Sequence, residues 1–201
     1  MKITTYDTRE EWLSGRLGKI TGTRVKDLIS KRASTAKKIG FYEMIAERIA
    51  VPSDGENAME RGQRLEPEAV ERFVQETGKK VDTSLVIWER DDNSRIAISP
   101  DGFIGLTEGV EVKCLSSARH IEAFITKEIP DEYKDQAIQY FVVNDKLETL
   151  YSVFYDPRLS VKDYFVIETK RSQVEEKIVQ YLEYEKTTLE EVEQIIKDLS
   201  F

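Results

Sequence analysis

The sequence predicts an α/β fold of the α+β kind, with a central mixed β-sheet flanked by helices. Two observations carry this. The segments follow the order helices, strands, helices, strands, helices, which implies a mixed sheet with helices packed against it. Short runs rich in Val and Ile, such as Arg95-Ile96-Ala97-Ile98 and Val110-Glu111-Val112-Lys113-Cys114, are bounded by turn residues, as strands are. The 201 residues, 40% hydrophobic and 34% charged, fit one globular domain over 1–201 with a core of useful size.

In chain order, Asp7-Thr8-Arg9-Glu10-Glu11-Trp12 reads as a helix start. Thr8 is its N-cap, Glu11 stands three residues on, and Trp12 is its core anchor. Residues 15–19 read as a loop, and Thr21 caps a second helix over 22–31. A third helix spans 36–50 and ends at Pro52-Ser53-Asp54-Gly55. The pattern over 57–77 is helical, with Ala69, Val70 and Phe73 on one face and Gly78 as a stop. Pro67 is either the first residue of a helix there or a kink within a longer one. Strands are predicted over 80–89, 95–98 and 110–114, with Asp91-Asp92-Asn93-Ser94 as the hairpin turn between the first two. Helices over 118–127 and 131–143 follow. Strands over 149–155 and 164–169 then bracket Asp156-Pro157-Arg158, and two charged helices, 173–186 and 189–199, close the chain.

Composition narrows the function. No apolar run reaches the roughly 18–20 residues of a membrane helix, and the N-terminus lacks the apolar region of a signal peptide. A cytoplasmic location is expected. A single cysteine excludes an intramolecular disulfide, a zinc cluster and an iron–sulfur cluster. His120 is the only histidine, which argues against histidine-based metal sites and Ser/His or Cys/His catalysis. Gly18-Lys19-Ile20-Thr21 lacks the first glycine of a phosphate-binding loop, since position 13 is Leu13, so nucleotide binding there is rejected. The net charge of −8 argues mildly against nucleic acid. However, residues 9–38 hold Arg9, Arg16, Lys19, Arg24, Lys26, Lys31, Arg32, Lys37 and Lys38 against three acids. That segment reads either as a basic groove for DNA or as an ordinary solvated helix surface.

The residues suited to chemistry lie around Ser99-Pro100-Asp101-Gly102 and Gly109-Val110-Glu111-Val112-Lys113-Cys114. These read as the ends of two strands joined by a loop. Alternation puts Glu111 and Lys113 on one face, with Val110, Val112 and Cys114 on the other. Carboxylates of Asp101 and Glu111 converging there suit a hard cation such as Mg²⁺, with Lys113 orienting or deprotonating a water. The competing reading is a hairpin with a surface salt bridge. Gln136 and Tyr140 sit one turn apart on one helical face, in reach of one site or at the polar edge of an amphipathic helix. Glu66 precedes Ala69, Val70 and Phe73 at i+3, i+4 and i+7, so it shares their inward face. It reads as a third acid at the site or as a first-turn acid favoured by the helix dipole. Cys114 reads as a small buried hydrophobe rather than a nucleophile.

Together these residues resemble the PD-(D/E)XK nuclease superfamily, and more closely the phage lambda exonuclease and YqaJ-type viral recombinase family. The resemblance is carried by Trp12-Leu13-Ser14-Gly15-Arg16-Leu17-Gly18-Lys19-Ile20-Thr21-Gly22-Thr23, Gly62-x-x-x-Glu66, Ser99-Pro100-Asp101-Gly102, Gly109 to Cys114, the Gln136-x-x-x-Tyr140 helix and Tyr155-Asp156-Pro157-Arg158, in the family's order. It implies a restriction-endonuclease-like core and a Mg²⁺-dependent 5′-to-3′ exonuclease acting on linear duplex DNA. One or two Mg²⁺ ions are implied, with Mn²⁺ able to substitute and no ATP. It implies that Asp101, Glu111, the Val112 carbonyl and Glu66 hold the metal and that Lys113 serves the attacking water. Gln136 completes the catalytic set, and Arg16, Thr23, Ser99, Arg119 and Tyr140 face the 5′-phosphate and DNA. A toroidal homotrimer, a single-strand annealing protein as partner, and a phage or prophage origin in a bacterial host are further implications. The chain departs from the family at Gln63, with Arg64 beside it, where the Gly62 motif carries lysine in a close example. The alternatives are another nuclease of the superfamily, either an endonuclease or a RecB-like enzyme, and a DNA-end-binding module without activity.

Overall fold

A computed structural model describes residues 1–16, 19, 21–22 and 57–199. The predicted helix over 36–50 and all but Gly22 of that over 22–31 lie outside the described residues. Thr8 caps α1 (Arg9–Gly15) as expected, its side chain accepting from the Glu11 amide at 3.2 Å. Helix α2 (Ala58–Thr77) is capped by the Asn57 side chain and stopped by Gly78, whose φ of 68° suits glycine. Pro67 lies inside α2, so of the two readings the longer helix holds. The carbonyl left without its usual donor belongs to Gln63, which is exposed to solvent.

Two sheets follow. In the first, β1 (Lys2–Thr5), β2 (Val86–Glu89) and β3 (Ala97–Ile98) are antiparallel in the order β1-β2-β3. In the second, β4 (Gly102–Ile104), β5 (Glu108–Lys113), β6 (Thr149–Tyr155) and β7 (Tyr164–Lys170) stand in the order β4-β5-β6-β7. Only β5 and β6 pair in parallel, so this sheet is mixed. A parallel pair requires a crossover, which α3 (Ser117–Thr126) and α4 (Asp131–Val143) supply. The chain then passes through a 3₁₀ turn (Arg171–Gln173) into α5 (Glu175–Leu199).

Three expectations are corrected. The strands ending at Ile98 and starting at Val110 do not form one hairpin, because β3 belongs to the first sheet and the true partner of β5 is β4. Turn residues at 99–102 run directly into a strand there, with Gly102 opposite Val110 and close to Val81, where a side chain would collide. The predicted strand over 80–89 shortens to β2, preceded by a single bridge between Asp82 and Phe103. The two C-terminal helices are one: Thr187 and Thr188 donate to the carbonyls of Glu183 and Tyr184, at 3.0 and 2.8 Å, and so stay within the helix.

Side-chain alternation along β5 sorts the core as predicted. Val110 and Val112 pack with Ala69, Val70 and Phe73 of α2. On the other side, Ala137, Ile138, Tyr140 and Phe141 of α4 join a larger core with Trp88, Leu150 and Phe154. Glu111 and Lys113 therefore project toward α4.

Candidate active site

Glu111 is the centre of the site. It is 5% exposed, and both carboxylate oxygens are engaged. Oε1 accepts from Lys113 Nζ at 2.5 Å and from Gln136 Nε2 at 2.7 Å, while Oε2 accepts from the Tyr140 hydroxyl. Gln136 Oε1 accepts in turn from Lys113 Nζ at 3.0 Å. The helical spacing that joined Gln136 and Tyr140 on one face thus delivers both to one carboxylate. Gln139, next to Tyr140 in the chain, instead donates to Glu185 of α5 at 3.2 Å.

Asp101 stands at the start of β4, and its Oδ2 accepts from the Val112 amide at 2.7 Å. Burial, then the neighbouring charges of Glu111 and Glu66, push its carboxyl well above the ordinary carboxylate range. Glu66 is half-buried in the middle of α2, not in its first turn, so the helix-dipole reading does not apply. Burial and then Glu111 raise it too. Burial alone would lower Lys113, but Glu111 and Asp101 beside it raise it above its usual value. Burial foremost pushes the Tyr140 phenol far up, which keeps it a hydrogen-bond donor. Cys114 packs with the Val110 side of the sheet, and burial moves its thiol to about 12, in keeping with a hydrophobe. His120 is 1% exposed, with Nε2 at 2.8 Å from the Lys162 carbonyl.

The residues expected to face DNA are placed in part. The Arg16 guanidinium lies 4.6 Å from the centre of the Trp12 ring. Burial lowers its pKa while Glu111, Asp101 and Tyr140 oppose the shift, which sets Arg16 among the charges of the site. Trp12 is half-buried, donates to the Val86 carbonyl at 3.3 Å and carries Arg9 at 5.4 Å. Ser99 Oγ is buried and has no hydrogen-bond partner among the described residues. Arg119 pairs with Glu122 at 2.6 Å and lies 3.6 Å from Glu132. Thr23 lies outside the described residues. Gln63 and Arg64 are exposed on α2. A cleft of about 510 Å³ opens beside Asp101 and Glu66, walled also by Arg9, Trp12 and Pro100.

Sequence reasoning missed Tyr133, whose ring lies 4.6 Å from Lys113 Nζ. It precedes Gln136 by three residues and Tyr140 by seven, so it belongs to the same α4 face. That spacing is its signal in the sequence.

Among the described residues, no group of three or more His, Cys, Asp or Glu stands at metal-binding spacing. The donor chemistry nonetheless fits a hard cation. Asp101, Glu66 and Glu111 are oxygen donors whose charges work against one another, and a cation would relieve that.

A mixed sheet between helices, with Asp101, Glu111 and Lys113 at adjoining strand ends, is the PD-(D/E)XK restriction-endonuclease-like core. Residues 11–147 match the YqaJ-like viral recombinase domain, and the chain belongs to that family. It is similar to an alkaline exonuclease, LHK-Exo, from Laribacter hongkongensis, at 29% identity and a TM-score of 0.67, covering 95% of this chain and 100% of that one. A structure of LHK-Exo in complex with dAMP matches at 28% identity with the same TM-score of 0.67 and the same coverage, 95% and 100%. A phage-related exonuclease from Haemophilus somnus 129PT shares the fold, at 14% identity and a TM-score of 0.52 over 90% of this chain and 96% of that one. Comparison with curated proteins gives no match.

Proposed function

We propose that this protein is a divalent-cation-dependent 5′-to-3′ exodeoxyribonuclease. In this reading it hydrolyses phosphodiesters from 5′-phosphorylated ends of linear double-stranded DNA and leaves 3′ single strands for recombination by strand annealing. The observation that carries the reading is the convergence of Lys113, Gln136 and Tyr140 on Glu111, with Asp101 and Glu66 facing the same carboxylate. Family membership and the similarity to an alkaline exonuclease support it.

Asp101, Glu111, Glu66 and the Val112 carbonyl would hold Mg²⁺, as one or two ions, with Mn²⁺ as a substitute. When bound, the cation supplies positive charge against the charge that develops on the phosphoryl oxygens. Lys113 positions and activates the attacking water and stabilises the same charge. Gln136 holds Lys113 and Glu111 in register, since it accepts from one and donates to the other. Tyr140 fixes the second Glu111 oxygen. Arg16 and Ser99, with Thr23 and Arg119, take the terminal 5′-phosphate; the buried Ser99 hydroxyl, which has no hydrogen-bond partner among the described residues, can donate to it. Arg is suited to the task because its planar fork binds phosphate at two points. Holding the terminal phosphate fixes the first internal bond beside the metal, which favours removal of end nucleotides.

The rest of the reading is a single nuclease domain over 1–201 that assembles as a toroidal homotrimer around DNA. It passes its product to a single-strand annealing protein in the cytoplasm of a bacterial host, as a phage or prophage product, and uses neither ATP nor an iron–sulfur cluster. Initiation on linear duplexes ending in 5′-phosphate or 5′-hydroxyl tests the pocket. Loss of one charge-assisted contact predicts that the wild type favours phosphate by about tenfold or more and that Arg16→Ala brings the ratio close to one. Equal rates in the wild type, or an unaltered ratio in Arg16→Ala, contradict it.

A further inference from the structure

Strand β5 ends at Lys113, and the chain must turn before α3 begins at Ser117. The carbonyls of Cys114 and Leu115 fall in that turn, beyond the last rung of the parallel ladder, where Lys113 stands opposite Phe154. A carbonyl at such a place needs a donor from elsewhere in the fold. Two arginines provide it. Arg61, from α2 and 7% exposed, donates through Nη2 to the Cys114 carbonyl at 2.5 Å and also to the Leu115 carbonyl. Arg158 Nη2 donates to the Leu115 carbonyl at 3.2 Å.

Because β5 and β6 run parallel, the residues just past β6 arrive beside those just past β5. The Tyr155-Asp156-Pro157-Arg158 segment, to which the proposed chemistry gives no role, is therefore set against the turn that follows Lys113. Asp156 is fully buried, at 0% exposure. It accepts from Arg158 Nε at 2.7 Å and Nη2 at 3.1 Å, and from Ser117 Oγ at 2.6 Å. Its carboxylate thus orients the Arg158 fork and ties it to the first residue of α3. Burying that charge is costly unless it is paired and hydrogen-bonded in this way. A plain surface turn would need none of it.

We propose that Arg61, Asp156 and Arg158 form a clamp that positions Lys113 by fixing the two peptide carbonyls that follow it. The clamp's effect on catalysis rests on the nuclease reading above. Its members are positioning residues: they act through the backbone and do not touch the reacting phosphate.

Cys114, the only cysteine in the chain, lies inside the clamped segment and reports on it without reference to catalysis. The experiment compares full-length wild type with Asp156→Asn, which keeps the shape and loses the charge, and Arg158→Lys, which keeps the charge and loses the fork. It measures kcat and KM on 5′-phosphorylated linear duplex, and the rate at which 5,5′-dithiobis(2-nitrobenzoate) modifies Cys114. A small displacement of a catalytic group predicts a fall in kcat of about 10- to 100-fold in both variants. KM stays within about twofold, because DNA contacts are unchanged. Thiol modification accelerates by about tenfold as the segment opens locally. A third variant, Arg158→Ala, loses kcat likewise, and added guanidinium ion restores part of it. A wild-type kcat in Asp156→Asn overturns the clamp, and so does a lowered kcat with a wild-type thiol rate. If Asp156→Asn does not fold, Ser117→Ala removes one of its hydrogen bonds and predicts the same shifts at smaller size; no shift in either readout overturns the clamp. A wild-type protein that degrades no DNA defeats the nuclease reading instead, and the thiol rates still decide whether the clamp holds the segment.

Discussion

At the scale of single residues, the account turns on how Glu111 is held. A carboxylate buried this deeply is stable only when its lone pairs are satisfied, and Lys113, Gln136 and Tyr140 satisfy them. Lys113→Ala removes the cation without touching the phosphate pocket. Loss of a group that serves the attacking water predicts a fall in single-turnover rate of about 10²- to 10⁴-fold. Binding to a duplex end, measured by gel shift, stays near wild type; unchanged turnover would remove Lys113 from the chemistry. Most of these residues were legible in the sequence. Strand alternation separated Glu111 and Lys113 from Val110 and Val112, and helical spacing joined Gln136 to Tyr140. Arg119 was not legible in the same way, since its pairing with Glu122 follows from α3 geometry and its approach to Glu132 from tertiary packing. Arg61 and Arg158 donate to carbonyls more than 40 residues away, and nothing local marks such a partnership.

Secondary-structure elements carry a second set of constraints. Helix α4, which brings Tyr133, Gln136 and Tyr140 to the site, is backed by α5 through the buried pair Gln139 and Glu185. Glu185 is fully buried and its Oε1 has no partner among the described residues. Burial moves its carboxyl from 4.5 up to about 8, opposed by the hydrogen bond from Gln139 and the charge of Arg90. Between those values the folded protein keeps a proton that the unfolded chain has released. Stability therefore falls as pH rises from 4.5 to about 8 and levels off above it. Glu185→Gln keeps the shape and stays neutral. Urea unfolding is expected to show a gain over wild type that is small at about pH 5 and reaches about 2 kcal/mol or more at about pH 8.5. A gain independent of pH would contradict this. The elements legible in sequence were those with strong caps or long periodicity, such as α2 with Asn57 and Gly78, α4 and β6. Strand β1 was missed because Lys2-Ile3-Thr4-Thr5 is a short, mostly exposed edge strand with little hydrophobic signal. The break predicted near Thr187 failed because both threonine hydroxyls bond back to their own helix.

In the molecule as a whole, two sheets meet around α4. The three-stranded sheet ends at Ile98, and its continuation through Ser99 and Asp101 enters the four-stranded sheet at β4. Asp101 thus stands at the junction, bonded to Val112 of the neighbouring strand, with the cleft bearing Arg9 and Trp12 beside it. The sequence pattern showed a mixed sheet with helices but not its division in two, because the Ser99-Pro100-Asp101-Gly102 turn signal hides a change of sheet. This junction places the carboxylates next to the cleft that the proposed function assigns to a DNA end. The most direct test gives the protein Mg²⁺ with a 5′-phosphorylated linear duplex and, in parallel, a covalently closed circle, and follows the products by size. The account predicts mononucleotides and a shortening 5′ strand from the linear duplex, an intact circle, and no products when the cation is chelated. Cutting of the circle at a rate comparable to the linear duplex would contradict it.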